Sequence, residues 1–341
     1  LELCYLEEFK ELVSQHYFSE AIGVDKSDVG AYLVEFRSRS SDEKPATNTH
    51  MDSAGSSIAG MSEVKGLIKG SNLEGKKIIE LKVDDSKNTA FAFSVNNTDA
   101  IAAWQTARDL VSKTGRWPVL TINWCRSDDW ETSIREQDFF DRDSFRHEGF
   151  EGDRDDISPE ALVRGASMVD LEVVVHDIAN AQEDIDEYLE YRLEEFEDDE
   201  PPTPEQLKDG LDLDKPSVRF DVAHRLFQWE VKQENLPPAG IEHISWFEPG
   251  ANESISLLLL PTPNSWEVPG YLQWFGAECW GSEIIIAQLK EWNEKYGAEL
   301  VCHYGTMLQL ITKKTPKSID EAFKLAYTQD VKGKLSTNLL P

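Results

Sequence analysis

The sequence is poor in cysteine and in basic residues. Its four cysteines lie far apart in 341 residues and form no C-x-x-C pair, so neither a zinc ribbon nor a dithiol redox motif is indicated. So few cysteines favour a reducing compartment, and we expect a cytoplasmic protein. Lysine and arginine number 34 against 64 aspartates and glutamates, which gives a net charge of −30. This balance argues against nucleic acid and membrane surfaces as partners and favours a basic protein.

Long apolar runs and catalytic motifs are also missing. No run approaches the about 20 apolar residues that a membrane span needs, and the start has no pattern of a signal peptide. The sequence lacks the motifs G-x-S-x-G, G-x-x-x-x-G-K-[ST], G-x-G-x-x-G and H-E-x-x-H. No motif therefore indicates a common hydrolase, nucleotide or zinc site. We therefore predict no catalytic residue, no metal ligand and no cofactor. Whether the protein is an enzyme stays open, with a preference for a non-enzyme.

The clearest structural pattern lies near the C-terminus. Residues 255–260 form a short apolar run, which is typical of a strand buried on both faces. An amphipathic helix follows, with Ser282 as its expected N-cap and Gly297 as its expected left-handed end. Residues 298–304 and 307–312 then have the pattern of a hairpin. These elements predict an α+β fold with mixed sheets and flanking helices.

A second strand-helix-strand pattern lies upstream. Residues 78–83, 90–95 and 117–124 are predicted strands, and a helix capped by Thr98 or Asp99 is expected before the last of them. The order of these elements matches that of the C-terminal ones. Either an internal duplication or the generic arrangement of α/β proteins explains this match.

Composition divides the chain into three expected domains. Residues 1–88 hold a predicted N-terminal helix, strands and a flexible loop, residues 89–235 hold an α/β unit with an acidic helical insertion, and residues 236–341 form a C-terminal α+β domain. Within the second domain, residues 171–176 have the pattern of a buried strand. The acidic stretch 128–156 has no calcium-loop spacing, so we expect a solvated loop there.

Several short motifs near the C-terminus form an ordered combination. They are Ser265-Trp266-Glu267-Val268-Pro269, Tyr271-Leu272 and Tyr296-Gly297-Ala298-Glu299-Leu300. An upstream element joins them, with Ala103-Trp104, Arg108, Thr114-Gly115 and Trp117-Pro118-Val119. Together they resemble the bacterial family called domain of unknown function 4253, which implies a shared fold for the last part of the chain. Because the family has no established activity, the resemblance implies no reaction.

Aromatic side chains crowd the segment 266–280, which is the best candidate for a binding site. Exposed aromatic residues with a polar handle are common at binding hot spots, but the same residues can instead cover the core. An enzyme or small-ligand site here requires Glu267, Glu299 and His303 to converge in one pocket. The candidate binding residues are Trp266, Glu267, Tyr271, Trp274, Glu278, Trp280, Glu299 and His303.

A helical pattern between residues 178 and 196 carries acidic side chains on its outer face. Such a face either presents a surface to a basic protein or is only solvated. The residues of this predicted acidic surface are Glu183, Asp184, Glu187, Glu190 and Glu194.

Two functions remain open. The first, which we favour, is a non-enzymatic cytoplasmic interaction module, an inhibitor or immunity-type protein for a basic partner. The second is an enzyme or small-ligand binder that uses the aromatic loop 266–280 with Glu267, Glu299 and His303. Neither function has a predicted cofactor, and the sequence leaves the oligomeric state open.

Overall fold

Two compact units make up the described part of the chain. The computed structural model describes residues 58–83, 85–122, 129–137, 156–182, 184–194, 196, 200–232, 255–274, 281–303, 305 and 308–333. We call the first the sheet unit, which takes its described residues from 58–171 and 255–315. The second, the helical unit, takes them from 172–232 and 316–333.

Helices and strands alternate irregularly along the described chain. In order they are α1 (Met61–Leu67), β1 (Ile78–Lys82), β2 (Thr89–Val95), a 3-10 helix (Asn97–Asp99), α2 (Ala100–Asp109), α3 (Val111–Thr114), β3 (Trp117–Ile122), α4 (Trp130–Arg135), α5 (Pro159–Ala166), α6 (Leu171–Gln182), α7 (Ile185–Glu194), α8 (Pro204–Lys208), α9 (Val218–Glu230), β4 (Ile255–Leu260), a second 3-10 helix (Ser265–Gly270), α10 (Ser282–Tyr296), β5 (Glu299–His303), β6 (Leu308–Ile311) and α11 (Ile319–Gly333).

A mixed sheet with the strand order β1-β2-β4-β3-β5-β6 forms the centre of the sheet unit. Neighbouring strands are antiparallel except β3 and β5, which run parallel. All residues of β3 and β4 are buried, and for β4 the continuous apolar run predicts this. The predicted α+β fold with a mixed sheet and flanking helices is confirmed.

This one sheet takes strands from each of the three expected domains. Strand β1 comes from residues 1–88, β2 and β3 come from 89–235, and β4, β5 and β6 come from 236–341. Their buried side chains, such as Phe91, Leu120 and Leu257, belong to one hydrophobic core.

The two strand-helix-strand segments differ in the relative direction of their strands. Strands β2 and β3 are both antiparallel to β4, which lies between them, so they are parallel to each other. Strands β4 and β5 flank β3, which is antiparallel to β4 and parallel to β5, so β4 and β5 are antiparallel. The two segments therefore share an order of elements but not an arrangement in the sheet.

Glycines with positive φ mark the ends of the main helices of the sheet unit. Gly115 after α3 and Gly297 after α10 have φ of 64° and 66°, the left-handed conformation that glycine adopts without steric cost.

The prediction that Ser282 caps α10 is wrong. The capping position is Gly281, whose φ is 77°, and Ser282 is already the first helical residue.

Residues 171–176 are the start of helix α6 and not the predicted buried strand. Val175, Ile178 and Ala179 are buried at helical spacing, whereas Glu172 and Val173 are exposed. A short apolar run has the same pattern in a buried strand and in a helix. Here the helical period continues beyond the run, and that continuation decides the structure.

Aromatic rings join α9 to α11 in the helical unit. Phe227 and Phe323 stack with their ring centroids 4.9 Å apart. Beside them, His224 Nε2 lies 2.9 Å from Asp320 Oδ1. Packing of these rings buries a large apolar area, which is the main stabilising contribution available to a pair of helices.

Some predictions fall outside the described ranges. They concern the N-terminal helix and the flexible loop within residues 1–57, and most of the acidic stretch 128–156.

Candidate functional site

His303 lies at the end of β5 and is fully buried. Its Nδ1 accepts a hydrogen bond from the backbone N–H of Gly305 at 3.2 Å. Burial lowers the pKa of His303 to about 4, although interactions with the backbone of Gln273 and of His303 itself act to raise it. The imidazole is therefore neutral at neutral pH.

Glu299, at the start of β5, is buried and carries two cationic partners. Its carboxylate accepts hydrogen bonds from Arg108 Nε at 3.0 Å, from Arg108 Nη2 at 2.5 Å and from Lys313 Nζ at 2.6 Å. Burial alone raises the pKa of a carboxyl group, but the bonds from Arg108 and Lys313 outweigh it and hold the pKa of Glu299 below its usual value. This carboxylate joins α2 to the sheet.

Glu267 is half-buried in the second 3-10 helix. Its Oε1 accepts a hydrogen bond from Asn264 Nδ2 at 2.9 Å, and its Oε2 accepts one from the Thr262 hydroxyl. Both carboxylate oxygens therefore bind residues of the turn that follows β4. This geometry closes the turn, and it uses the carboxylate for the fold.

Tyr271 is buried and covers the core of the sheet unit. Its hydroxyl donates a hydrogen bond to the carbonyl of Pro261 at 3.3 Å. Among the candidate aromatics, Tyr271 thus has a structural role. Glu278 and Trp280 lie outside the described residues.

Trp266 and Trp274 are half-buried and contribute to a common apolar surface. Beneath it lie Ile285 and Leu289 of α10, which are 5% and 3% exposed. We call this surface the tryptophan patch. Its half-buried members are Trp266, Trp274, Trp292, Leu308 and Leu310.

Three members of the tryptophan patch were not among the predicted site residues. Trp292 shows the helical spacing of α10 in the sequence, three residues after Leu289, so the signal for its position was present. Leu308 and Leu310 lie on β6, and only the pairing of β6 with β5 brings them beside α10. The predicted hairpin indicates that pairing, but a single sequence holds no signal for the elements that pack on the hairpin.

Acidic side chains line the outer face of α7 in the helical unit. Asp184, Glu187, Glu190 and Glu194 are all exposed, and Glu183 lies outside the described residues. Asp184 accepts hydrogen bonds from the backbone N–H groups at the helix start, at 2.8 and 2.9 Å, so its carboxylate caps α7. Within this face lies Tyr191, which is 45% exposed.

The opposite face of α7 anchors the helix. Tyr188, Leu189 and Arg192 are buried there, and the guanidinium of Arg219 on α9 lies 4.5 Å from the centroid of the Tyr188 ring. The acidic face is therefore carried by a helix that is packed into its own unit.

The described ranges hold neither a cluster of metal ligands nor a membrane-spanning helix. In those ranges, no group of three or more His, Cys, Asp or Glu side chains is arranged to hold a metal ion. None of the helices there has the length and apolarity that crossing a bilayer requires.

Comparison with known proteins places the C-terminal part of the chain. Residues 256–330 match the model of a family described as a domain of unknown function, DUF4253. This segment is a DUF4253 domain. No curated protein and no solved structure matches the chain.

The DUF4253 segment makes side-chain contacts with residues that lie more than a hundred positions earlier in the chain. Arg108 on α2 pairs with Glu299 inside the segment, and the Trp117 indole donates to the Leu300 carbonyl at 2.9 Å. Both upstream residues belong to the element that resembles the same family in the sequence. The fold thus joins the two parts of that resemblance, although only the second part lies in the matched range.

Proposed function

We propose that the protein is a non-enzymatic interaction module that binds a basic protein through the acidic face of α7. The observation that carries this proposal is the half-exposed Tyr191 among the exposed carboxylates of Glu187, Glu190 and Glu194. Tyrosine is enriched among the residues that dominate binding energy at interfaces. It offers a large contact area and loses little conformational entropy, since it has only two side-chain torsions.

The negative charge of this face favours a basic partner. Three carboxylates within two helical turns attract lysine and arginine side chains, and the net charge of −30 adds long-range steering. A basic partner therefore associates fast at low ionic strength and more slowly as salt screens the field. The partner contributes cations around a surface that receives the Tyr191 ring.

An inhibitor of the immunity type fits this chemistry. A basic toxin, such as a nuclease, binds anionic substrates through a positively charged site, and an acidic helix face can occupy such a site. The sparse cysteine content favours the cytoplasm as the compartment in which this happens. A bacterial origin, which the sequence resemblance implies, belongs to the same proposal.

The alternative of an enzyme or small-ligand site in the aromatic loop stays a prediction. Glu267, Glu299 and His303 each make contacts that hold the fold together. We therefore do not extend a proposal to this loop.

The experiment is a capture assay followed by a binding measurement. The immobilised protein is exposed to a lysate of its native host at about 50 mM and about 500 mM NaCl, which changes the Debye length severalfold. A basic protein retained only at low salt is then purified and titrated by calorimetry. The triple variant E187Q/E190Q/E194Q is expected to lose at least about tenfold in affinity and much of the salt dependence. Tyr191→Ala is expected to lose a similar factor while keeping the salt dependence.

A matched control removes three exposed carboxylates from the sheet unit instead. Its substitutions are Glu80→Gln, Glu160→Gln and Glu294→Gln. This variant has the same net charge as the α7 triple variant, so it separates a local acidic site from the general charge of the chain. Equal losses for the two triple variants, or a partner without excess positive charge, would refute the proposal.

A further inference from the structure

Met168, just after helix α5, presents its side chain to solvent. It is 85% exposed, the largest exposed fraction among the large apolar side chains of the described ranges, where Leu213 follows at 54%. Methionine is otherwise among the residue types most often found fully buried. Dissolved oxidants as small as hydrogen peroxide therefore reach the Met168 side chain from the surrounding water.

The backbone at this position is held by contacts that do not use the Met168 side chain. The Met168 N–H donates to the Gly165 carbonyl at 2.9 Å, and the Val169 N–H donates to the Ala166 carbonyl at 3.3 Å. Val169 also packs against the small apolar cluster that joins α5 to α10. A change in the polarity of the Met168 side chain therefore leaves these contacts intact.

Met61 places the same thioether in a different environment. It begins α1, is half-buried and packs against the core of the sheet unit. Packing restricts the approach of an oxidant, and a sulfoxide in such a place introduces a polar group among apolar neighbours. The other two methionines, Met51 and Met307, lie outside the described residues.

We propose that Met168 is a site of reversible oxidation by peroxide, at which the thioether becomes a sulfoxide while the fold is kept. The sulfur lone pair attacks one peroxide oxygen, the O–O bond breaks, an S–O bond forms and water leaves. Sulfur loses the two electrons that the peroxide gains. A methionine sulfoxide reductase reverses the change by releasing the oxygen as water, with two electrons from a dithiol that becomes a disulfide.

This modification is independent of the acidic face of α7. Hydrogen peroxide carries no charge, so the net charge of −30 neither attracts nor repels it. The oxidation rate of Met168 is expected to be the same at about 50 mM and about 500 mM NaCl, whereas binding of a basic protein weakens as salt screens the attraction. Either proposal can fail without the other.

The test follows each methionine-containing peptide by mass spectrometry after the protein is exposed to hydrogen peroxide. The same protein unfolded in urea gives the rate of an unprotected methionine. In the folded protein, Met168 is expected to react within about threefold of that rate, and Met61 at least about tenfold more slowly than it does in urea. Protection of Met168 beyond about threefold, or a rate no higher than that of Met61, overturns the proposal.

Reversibility is tested on the folded, oxidised protein. Sulfoxide forms as two epimers, so the protein is incubated with both classes of methionine sulfoxide reductase and dithiothreitol. The expected result is recovery of the thioether at Met168. A sulfoxide at this position that is reduced only after the chain has been unfolded contradicts the proposal.

Two substitutions test whether the fold is kept. Met168→Gln gives the side chain a polarity closer to that of the sulfoxide, and the midpoint of urea unfolding is expected to stay unchanged. Met61→Gln, the matched control at the core, is expected to lower that midpoint or to prevent folding. A loss for Met168→Gln as large as that for Met61→Gln refutes a site that tolerates oxidation.

Discussion

Gly165 on α5 lies so close to Glu283 on α10 that a Cβ at position 165 stands only 2.8 Å from the Glu283 Cγ. The two helices pack through Leu162, Ala166 and Ile286 in a small apolar cluster of their own. Since protein interiors are packed as densely as organic crystals, an added methyl group here displaces the Glu283 side chain or the helix.

Substitution of this glycine is predicted to destabilise the sheet unit. Alanine is the better helix former, yet Gly165→Ala is expected to lower the free energy of unfolding by about 1–3 kcal/mol, because overpacking outweighs propensity. The matched control is Gly66→Ala in α1, where nothing lies within 4 Å of the added Cβ, and there a gain of about 0.5–1 kcal/mol is expected. Urea unfolding measures both. The double variant Gly165→Ala/Glu283→Ala recovers most of the loss if the contact with Glu283 is its cause.

The buried His303 predicts a pH dependence of stability. Its folded pKa of about 4 lies below the ordinary value of 6.5, so between these values the unfolded chain binds more protons and stability falls as pH falls. The loss is expected to reach about 2 kcal/mol between pH 6.5 and pH 5. Unfolding free energies of wild type and His303→Gln, measured across this range, separate the contribution of His303 from that of other groups. Parallel curves for the two proteins contradict the assignment.

The Arg108–Glu299 pair predicts a second stability effect. Arg108→Met leaves the buried carboxylate with Lys313 as its remaining cationic partner in the described structure, and a loss of about 2 kcal/mol is expected. The control is Arg164→Met, since the pair of Arg164 with Asp156 is exposed and contributes less than about 1 kcal/mol. Because the pKa of Glu299 is lowered, its contribution is present above its ordinary pKa and is lost on acidification. Chemical denaturation at neutral pH tests the difference between the two arginines, and equal losses disprove it.

The Trp117 indole predicts a third effect, at the parallel pair β3–β5. Among the described residues that pair has two aligned positions, Leu120 with Cys302 and Thr121 with His303, and the indole N–H adds a hydrogen bond to the Leu300 carbonyl. Trp117→Phe keeps a ring but removes the donor, and it leaves a buried carbonyl with one partner fewer. A loss of about 1–3 kcal/mol is expected in thermal or urea unfolding.

A control for Trp117 is available on α4. The Trp130 indole donates to the Ser256 hydroxyl at 2.9 Å, but Trp130 is only half-buried. Water can replace a hydrogen bond at such a site, so Trp130→Phe is expected to cost less than Trp117→Phe. The reverse order of losses would show that the indole bond to β5 has little weight.

Local elements were predictable where one physical signal dominated. The run 255–260 is apolar without interruption, and it became the central strand β4. Gly115 and Gly297 ended helices because glycine enters the left-handed region without a steric cost. The strand prediction for residues 171–176 was wrong, because six residues are too few to distinguish the two-residue period of a strand from the 3.6-residue period of a helix.

The candidate site was predictable only in part. Aromatic clustering drew attention to the segment that holds Trp266 and Trp274, and the structure packs both against one apolar cluster. The roles of Glu267, Glu299 and His303 depend on partners distant in sequence or on local turn geometry, and residue type alone does not reveal whether a carboxylate binds the fold or a ligand. For Glu299 the sequence indicated only that the carboxylate, if buried, requires a partner. It did not indicate that Arg108, on another element, is that partner.

The position of β3 has a consequence for synthesis of the chain. Strand β3 lies between β4 and β5 but is synthesised before either, so its native pairings can form only after β4 and β5 have been made. The DUF4253 segment taken out of this chain leaves β4 and β5 apart by the width of one missing strand, and Glu299 without Arg108. We therefore expect that this chain, cut at the boundary of the family match, does not fold into a stable unit.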